Sequence, residues 1–307
     1  MRPSQRITSS VLTIAALFIV AAAFVQDETL GHSAKLQTKT RQAPAAELTL
    51  VCAVTGQGEG EKEMGLDPVV MVNRGRLQAP YAEYNEAAQA KFAGKYFKPG
   101  SKFRITFGGG DSGVASITKS DHGCNNLHAT ATVETTANIR GQVMGLAISN
   151  ETLGRKESSR RAPSDDERSQ VMEMVKQIYS GRGTSAALVR TMQTVNLTAT
   201  DLDGDGKLEL IGSFIIETKS KARRDLFLIA EPKDLGFKAG LVNFQAYQLP
   251  PEGFDSQIKF VDQLDLDGDG VAEVFATQAG FDAYAYLIFK KRNGRWLKVY
   301  SAMGDAC

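Results

Sequence analysis

Eight carboxylates in two matching runs are the residues of this sequence best placed to do chemistry. The first run sets them at Asp201, Asp203, Asp205 and Glu209, the second at Asp265, Asp267, Asp269 and Glu273. Both follow the spacing 1, 3, 5 and 9, with glycine at positions 4 and 6. As the backbone curls, alternation brings side chains 1, 3 and 5 toward one point. Gly206 and Gly270 permit the reversal that follows, where a Cβ would obstruct positive φ. The backbone carbonyls of Lys207 and Val271, at position 7, are expected to turn inward as neutral ligands. Such a set supplies hard oxygens only. A flexible shell that water completes to about six to eight contacts suits calcium rather than zinc. Carboxylates ~4 Å apart repel by ~4 kcal/mol per pair at an effective dielectric near 20. A single Asp-Gly run is explained as an ordinary turn, but two runs with one ligand spacing call for a cation.

Two sets of elements must carry these loops. The segment TDLDGDGKLELIG, from Thr200, returns as LDLDGDGVAEVFA, from Leu264, 64 residues later. After the first loop come apolar strands at Leu208–Ile216, Asp225–Ala230 and Leu241–Tyr247. After the second come Ala272–Gln278, Ala283–Lys290 and Trp296–Tyr300, with Asn293-Gly294 as a two-residue hairpin turn. Each copy therefore reads as a four-stranded antiparallel meander whose acidic loop joins its first and second strands. Units repeating at this length bury little alone and stack on neighbours. The loops are not regular EF-hands. Gly212 and Ala276 stand where that motif needs a bidentate Glu, and β-branched and aromatic residues replace its exiting helix.

On these residues, DLDGDGKLEL and DLDGDGVAEV resemble the calcium loops of FG-GAP or VCBS-type repeats, which form blades of integrin-like β-propellers. The likeness spans roughly residues 195–303, about a third of the chain. It implies calcium at the eight carboxylates and an extracellular interaction role. Such propellers have about seven blades, whereas this chain carries two copies and no evident Phe-Gly or Gly-Ala-Pro signature. A small open sheet or a sandwich is expected in place of a ring.

The remaining organisation sets the context. Arg2 and Arg6 precede an apolar run, Val11 to Val25, and the polar Gln26-Asp27-Glu28. Residues 1–26 read as a secretory signal peptide or, alternatively, as an uncleaved membrane anchor; either places the rest outside the cytoplasm, secreted or periplasmic. Residues 27–47 form a polar spacer. Residues 48–150 read as a strand-rich domain of unassigned role, with strands at Leu48–Val54, Val69–Val72, Lys102–Phe107, Val114–Lys119, His128–Glu134 and Gln142–Ser149, and one helix at Tyr81–Phe97. Residues 151–194 combine a charged run, Gly154 to Arg161, read as a solvated hinge, with helices: one opened by a Ser164/Glu167 capping box, and a shorter one at Ser185–Gln193. Residues 195–307 hold the two meanders. The fold class is α+β, mostly β. Within the 307 residues a formal net charge of +1 gives no footprint for nucleic acid.

Three cysteines occur. Cys52 and Cys124 can bridge in an oxidising compartment, leaving Cys307 odd, or all three can be thiols. His122, Cys124 and His128 form the one candidate for transition-metal or nucleophilic chemistry, but a fourth ligand and an orienting third group are not apparent. Gly108–Gly113 reads as a hairpin connection rather than a phosphate loop. Phe281, Tyr284, Tyr286, Phe289 and Trp296 read as sheet packing before a carbohydrate platform. The expectation is a non-catalytic, calcium-binding, extracytoplasmic protein presenting β-rich surfaces to a protein or carbohydrate partner, touching a membrane only through an uncleaved N-terminal segment. The alternatives are an exported hydrolase with a Cys/His site in the first domain and a structural envelope component.

Overall fold

The computed structural model describes residues 48–307 apart from 56–62, 83, 123–125, 141–142, 151–152, 156, 251–255, 281–282 and 307. The expected leader or anchor, the spacer, Cys124, Phe281 and Cys307 lie outside the described residues. Among those described, no helix is long and apolar enough to cross a membrane.

Alternating apolar residues in the first half build a barrel. Strands β1 (Thr49–Thr55), β2 (Glu63–Asn73), β3 (Arg76–Gln78), β4 (Lys102–Phe107), β5 (Gly110–His122), β6 (Leu127–Thr135) and β7 (Gly145–Ile148) form one sheet in the order β1-β7-β4-β5-β6-β2-β3. β1 also pairs antiparallel with β2, from Thr49↔Val72 to Thr55↔Gly65, which closes six strands into a ring and leaves β3 as an appendage. Period-two alternation sorts the side chains. Leu50, Cys52 and Val54 point into the barrel, while Val51 and Ala53 belong to a second core outside it. Helix α1 (Glu86–Tyr96) is capped by Asn85, whose side chain accepts from the Ala88 amide, and sets Phe92 and Phe97 against the barrel core. The cap explains why the helix begins later than Tyr81.

Helix α2 (Asp165–Gly181) starts at the expected capping box: Ser164 accepts from the Glu167 amide while Glu167 accepts from the Ser164 amide. Helix α3 (Ala186–Val189) is shorter than expected because the chain is already extended from Gln193. Strands β8 (Gln193–Thr200), β9 (Glu209–Glu217), β10 (Ala222–Lys233) and β11 (Gly236–Gln248) form the first meander. Strands β12 (Ile258–Leu264), β13 (Glu273–Ala279), β14 (Ala283–Arg292) and β15 (Arg295–Ala306) form the second. Both are antiparallel and four-stranded, and the fold is mostly β, as the sequence indicates.

The two meanders pack face to face. Ile211, Phe227 and Ile229 of the first meet Phe260, Val274, Phe289 and Trp296 of the second. Phe227 and Phe289 stack at 5.5 Å between centroids, an arrangement adding about 0.5–1.5 kcal/mol beyond area burial. The outer face of the first meander is covered by α2, where Val171, Val175 and Tyr179 press on Phe214, Leu226 and Leu228. The Tyr179 hydroxyl satisfies itself by donating to the Phe214 carbonyl at 2.9 Å. The outer face of the second is covered by the barrel exterior, where Val51, Ala53, Val70 and Ile148 meet Val261, Phe275 and Ile288. Helix, sheet, sheet and barrel thus follow in layers. Each repeat finds an apolar neighbour on both sides, so two copies are stable as a sandwich without closing a ring.

Candidate metal centre

The acidic loops fold by local chemistry that is the same in both copies. Asp201 accepts from the Gly204 and Gly206 amides at 2.6 and 3.1 Å, and Asp265 from those of Gly268 and Gly270 at 2.8 and 3.0 Å. Those amides face the first carboxylate only because the four glycines adopt φ between +75° and +89°, where a Cβ is strained. Asp205 and Asp269 accept from the amides of Lys207 and Val271. Glu209 and Glu273, the first residues of β9 and β13, reach back and accept from the Leu202 and Leu266 amides, both at 2.8 Å. Each loop is closed at both ends by its own carboxylates.

The carboxylates converge, but not identically. Asp201, Asp203 and Glu209 each offer an oxygen within 4.8 Å of the others, and so do Asp265, Asp267 and Asp269. In the first loop Asp205 is exposed and lies 3.9 Å from the Lys207 ammonium. Asp201 and Glu209 are buried there, and the Oδ1 atom of Asp203 is buried without a hydrogen-bond partner. Burial, with the charges of Asp203 and Asp201 added, pushes the Glu209 carboxyl up to about 7 against the pull of the Leu202 amide. A carboxylate so placed is short of positive charge.

In the second loop that charge is supplied from within. The Lys290 ammonium, on β14, donates to Asp267 at 2.9 Å, Asp269 at 2.8 Å and Glu273 at 2.6 Å. Burial opposes the charged lysine, but its bonds to Asp269, Glu273 and Asp267 win and raise its pKa. The bond from Lys290 holds Asp269 below the usual carboxylate range, whereas burial leaves Glu273 above it. Strand register explains the difference between copies. Val274 pairs with Phe289 and Leu210 with Ala230, so the next step sets Lys290 opposite Glu273 but Glu231 opposite Glu209. Glu231 is turned to other partners: Lys291 at 2.8 Å, the Trp296 indole at 2.9 Å and Lys238 at 3.0 Å.

The loops, far apart in sequence, sit side by side. The Ala272 amide donates to the Leu202 carbonyl at 2.7 Å. Arg155 donates to the carbonyls of Asp201, Leu202 and Gly270, at 2.9, 3.3 and 3.5 Å, and its guanidinium lies 3.9 Å from Asp201 Oδ1. Gln263 adds a bond to the Asp201 carbonyl at 2.9 Å. A cleft of about 160 Å³, lined by Gly109, Arg155, Gln263, Asp265 and Gly270 among others, opens beside the second loop.

Where it is described, the charged run before α2 is only partly solvated: Gly154, Glu157, Ser158 and Arg161 are exposed, but Arg155 and Arg160 are tied into the fold. The Arg155 amide donates to the Gly109 carbonyl and its carbonyl accepts from the Asp111 amide, while Arg161 exchanges backbone hydrogen bonds with Ala199. The Arg160 side chain is buried, donates to the carbonyls of Met144 and Val261 at 2.9 and 2.8 Å, and lies 3.3 Å from Asp262. Its guanidinium also sits over the rings of Phe107 and Phe260, 4.4 and 4.7 Å from their centroids. The run, followed directly by Asp165-Asp166-Glu167, reads as solvent-exposed; the carbonyls and the Asp262 carboxylate that receive these side chains come from strands distant in sequence.

The other candidates fall elsewhere. Cys52 is a free, fully buried thiol in β1. His122 and His128 flank the β5–β6 connection, in neighbouring register positions. Gly108 and Gly109 make the β4–β5 hairpin at positive φ. Tyr286, Phe289 and Trp296 are buried between layers, and Tyr284 and Tyr286 both donate to Asp67. Lys290 and Arg155 are the site residues that motif spacing alone misses. No family model, curated protein or solved structure matches the chain.

Proposed function

We propose that this chain is a non-catalytic, extracytoplasmic calcium-binding protein in which a divalent ion, held by Asp201, Asp203 and Glu209, stiffens a β sandwich that presents its surface to a protein or carbohydrate partner. The observation that carries the reading is a carboxylate set to which no cation among the described residues hydrogen-bonds: an orphaned buried oxygen on Asp203, beside two buried carboxylates within 4.8 Å, with the nearest guanidinium 3.9 Å from Asp201. The donors are all oxygen, which favours calcium over softer-seeking metals. Bound calcium supplies charge neutralisation and nothing else. Asp201 and Glu209 arrive already oriented by the loop amides, so the chain contributes a prepared set of ligands. The resemblance of both loops to FG-GAP or VCBS-type repeats agrees with this, and the basic-then-apolar N-terminus agrees with export to where calcium is abundant.

Thermal unfolding of the full chain with 1 mM calcium against excess chelator tests the reading. At a Kd of about 10⁻⁴ M, calcium at this level stabilises by about 1.4 kcal/mol, a rise in Tm of roughly 3–6 °C. Asp203→Asn should abolish the rise. Equal melting temperatures with and without calcium, and no heat on titration, would remove the metal from the account.

A further inference from the structure

We infer that Lys290 is the resident cation of the second acidic loop, and that the chain therefore takes one divalent ion, at the first loop, in spite of two matching motifs. The inference rests on the calcium reading above and deepens it, because it assigns the ion to one loop and gives the other a tethered occupant.

Three observations carry it. Lys290 places one ammonium against three carboxylates of its loop, each contact between 2.6 and 2.9 Å, with its side chain 11% exposed. Charge-assisted bonds of this length use all three ammonium protons, so the nitrogen has no further donor to offer. The position is also built: Lys290 faces Glu273 through the β13–β14 register, between Phe289 in the sandwich core and Lys291 paired to Glu231. An ion entering this loop has to expel the lysine, since an ammonium and a dication repel at such distances. Finally, in the first loop no cation among the described residues hydrogen-bonds to Asp201, Asp203 or Glu209: the Arg155 guanidinium stands 3.9 Å from Asp201 Oδ1 and gives its bonds to carbonyls. The loop's matching position is Glu231, an acid, which takes the direct bonds of Lys291 and Lys238, so that Lys291 acts on Asp203 and Glu209 only through its charge at longer range. A tethered amine at effectively fixed concentration competes with calcium at one loop only.

Calorimetric titration of the full chain with calcium chloride decides the matter. One ion per chain is expected. Asp203→Asn should weaken binding by more than the roughly 10–100-fold that loss of an outer-shell partner costs, whereas Asp267→Asn should leave both stoichiometry and affinity unchanged. Lys290→Met, which keeps the stem and deletes the charge, should raise the stoichiometry to two. If that variant does not fold, the comparison of Asp203→Asn with Asp267→Asn still gives the answer. Two ions on the unmodified chain, loss of binding in Asp267→Asn, or a stoichiometry that stays at one in folded Lys290→Met would each overturn the role given to Lys290 while leaving calcium binding intact. No ion bound by the unmodified chain would overturn the calcium reading itself, and this inference with it.

Discussion

Replacing Arg160 by methionine should cost about 3–5 kcal/mol, the penalty for stranding a buried charge. The charge in question is Asp262, whose side chain is fully buried and whose Oδ1 accepts from Arg160 at 3.3 Å and from the Gly108 amide at 2.8 Å. Its other oxygen is buried with no partner, so removing Arg160 leaves the carboxylate with little compensation. Methionine fills the slot between Phe107 and Phe260 and keeps contact with both rings, which isolates the electrostatic loss from a cavity. Urea denaturation followed by emission of Trp296, the one tryptophan, buried between the meanders, reports the change; in melting temperature it is roughly 6–20 °C. Burial already pushes the Asp262 carboxyl up to about 7, against the downward pull of Arg160 and the Gly108 amide. An acid whose folded pKa is raised weakens the fold above that pKa, and the penalty fades as pH falls toward its unfolded value of about 3.9. The deficit of Arg160→Met should therefore shrink between pH 8 and pH 5. Asp262→Asn, which keeps an acceptor for Gly108, should cost less, and the double variant should be more stable than the sum of its parts implies. An Arg160→Met penalty below about 1 kcal/mol at pH 8, independent of pH, would refute the claim that Arg160 compensates the buried Asp262 charge.

Two further substitutions probe the same region. Glu167 is held down to about 2, first by its bond to Arg161 and also by the Ser164 amide. Its contribution is thus complete above the unfolded pKa of about 4.3 and lost as pH falls toward 2. Because Arg161 is 46% exposed, solvent screening limits this to about 1 kcal/mol, and Glu167→Gln should flatten the acid limb of stability by that amount in urea titrations at pH 2–6. Gly110→Ala would put a Cβ 2.2 Å from the backbone of Glu157 and Ser158. Since backbone cannot yield as a flexible side chain does, the unfolding free energy from urea titration should fall by about 1–3 kcal/mol; an unchanged value would show that residues 157–158 are free to move.

Local signals made much of this legible in the sequence. Strands β9 to β11 and β13 to β15 follow from short apolar runs and from the repeat, and the Ser164/Glu167 pair announces α2. The loops follow from glycines whose positive φ leaves few alternatives. Barrel closure did not follow, because it depends on β1 meeting both β2 and β7, with Val51 paired to Val70 and to Ile148. No local pattern encodes a partner that distant. The burial of Arg160 was hidden for the same reason. Its composition says solvent, and only the assembled layers supply two carbonyls, one carboxylate and two rings. Lys290 was invisible because its relation to Glu273 is a cross-strand one, set by the hairpin at Gly280 and not by spacing along the chain.

The divergence of the two meanders is best understood as one problem solved twice. Each loop gathers four acids at the start of its second strand, and each must find positive charge beside a buried glutamate. The second strand–turn–strand unit delivers a lysine to that spot. The first delivers Glu231, and so adds a further acid beside a set to which no cation among the described residues hydrogen-bonds. Lys291 and Lys238, which approach from the second sheet and the neighbouring strand, are drawn to Glu231, while Arg155 spends its donors chiefly on carbonyls. Lys291 therefore ties the sheets together and acts on Asp203 through its charge alone, leaving the Asp203 oxygen without a hydrogen bond. An ion added at the first loop would close that deficit and reach across the seam between meanders, since Leu202 already bonds Ala272 there. On this reasoning calcium should tighten the contact between the two sheets more than it tightens either loop alone, with hydrogen exchange slowing at Ala272 as well as within Asp201–Glu209.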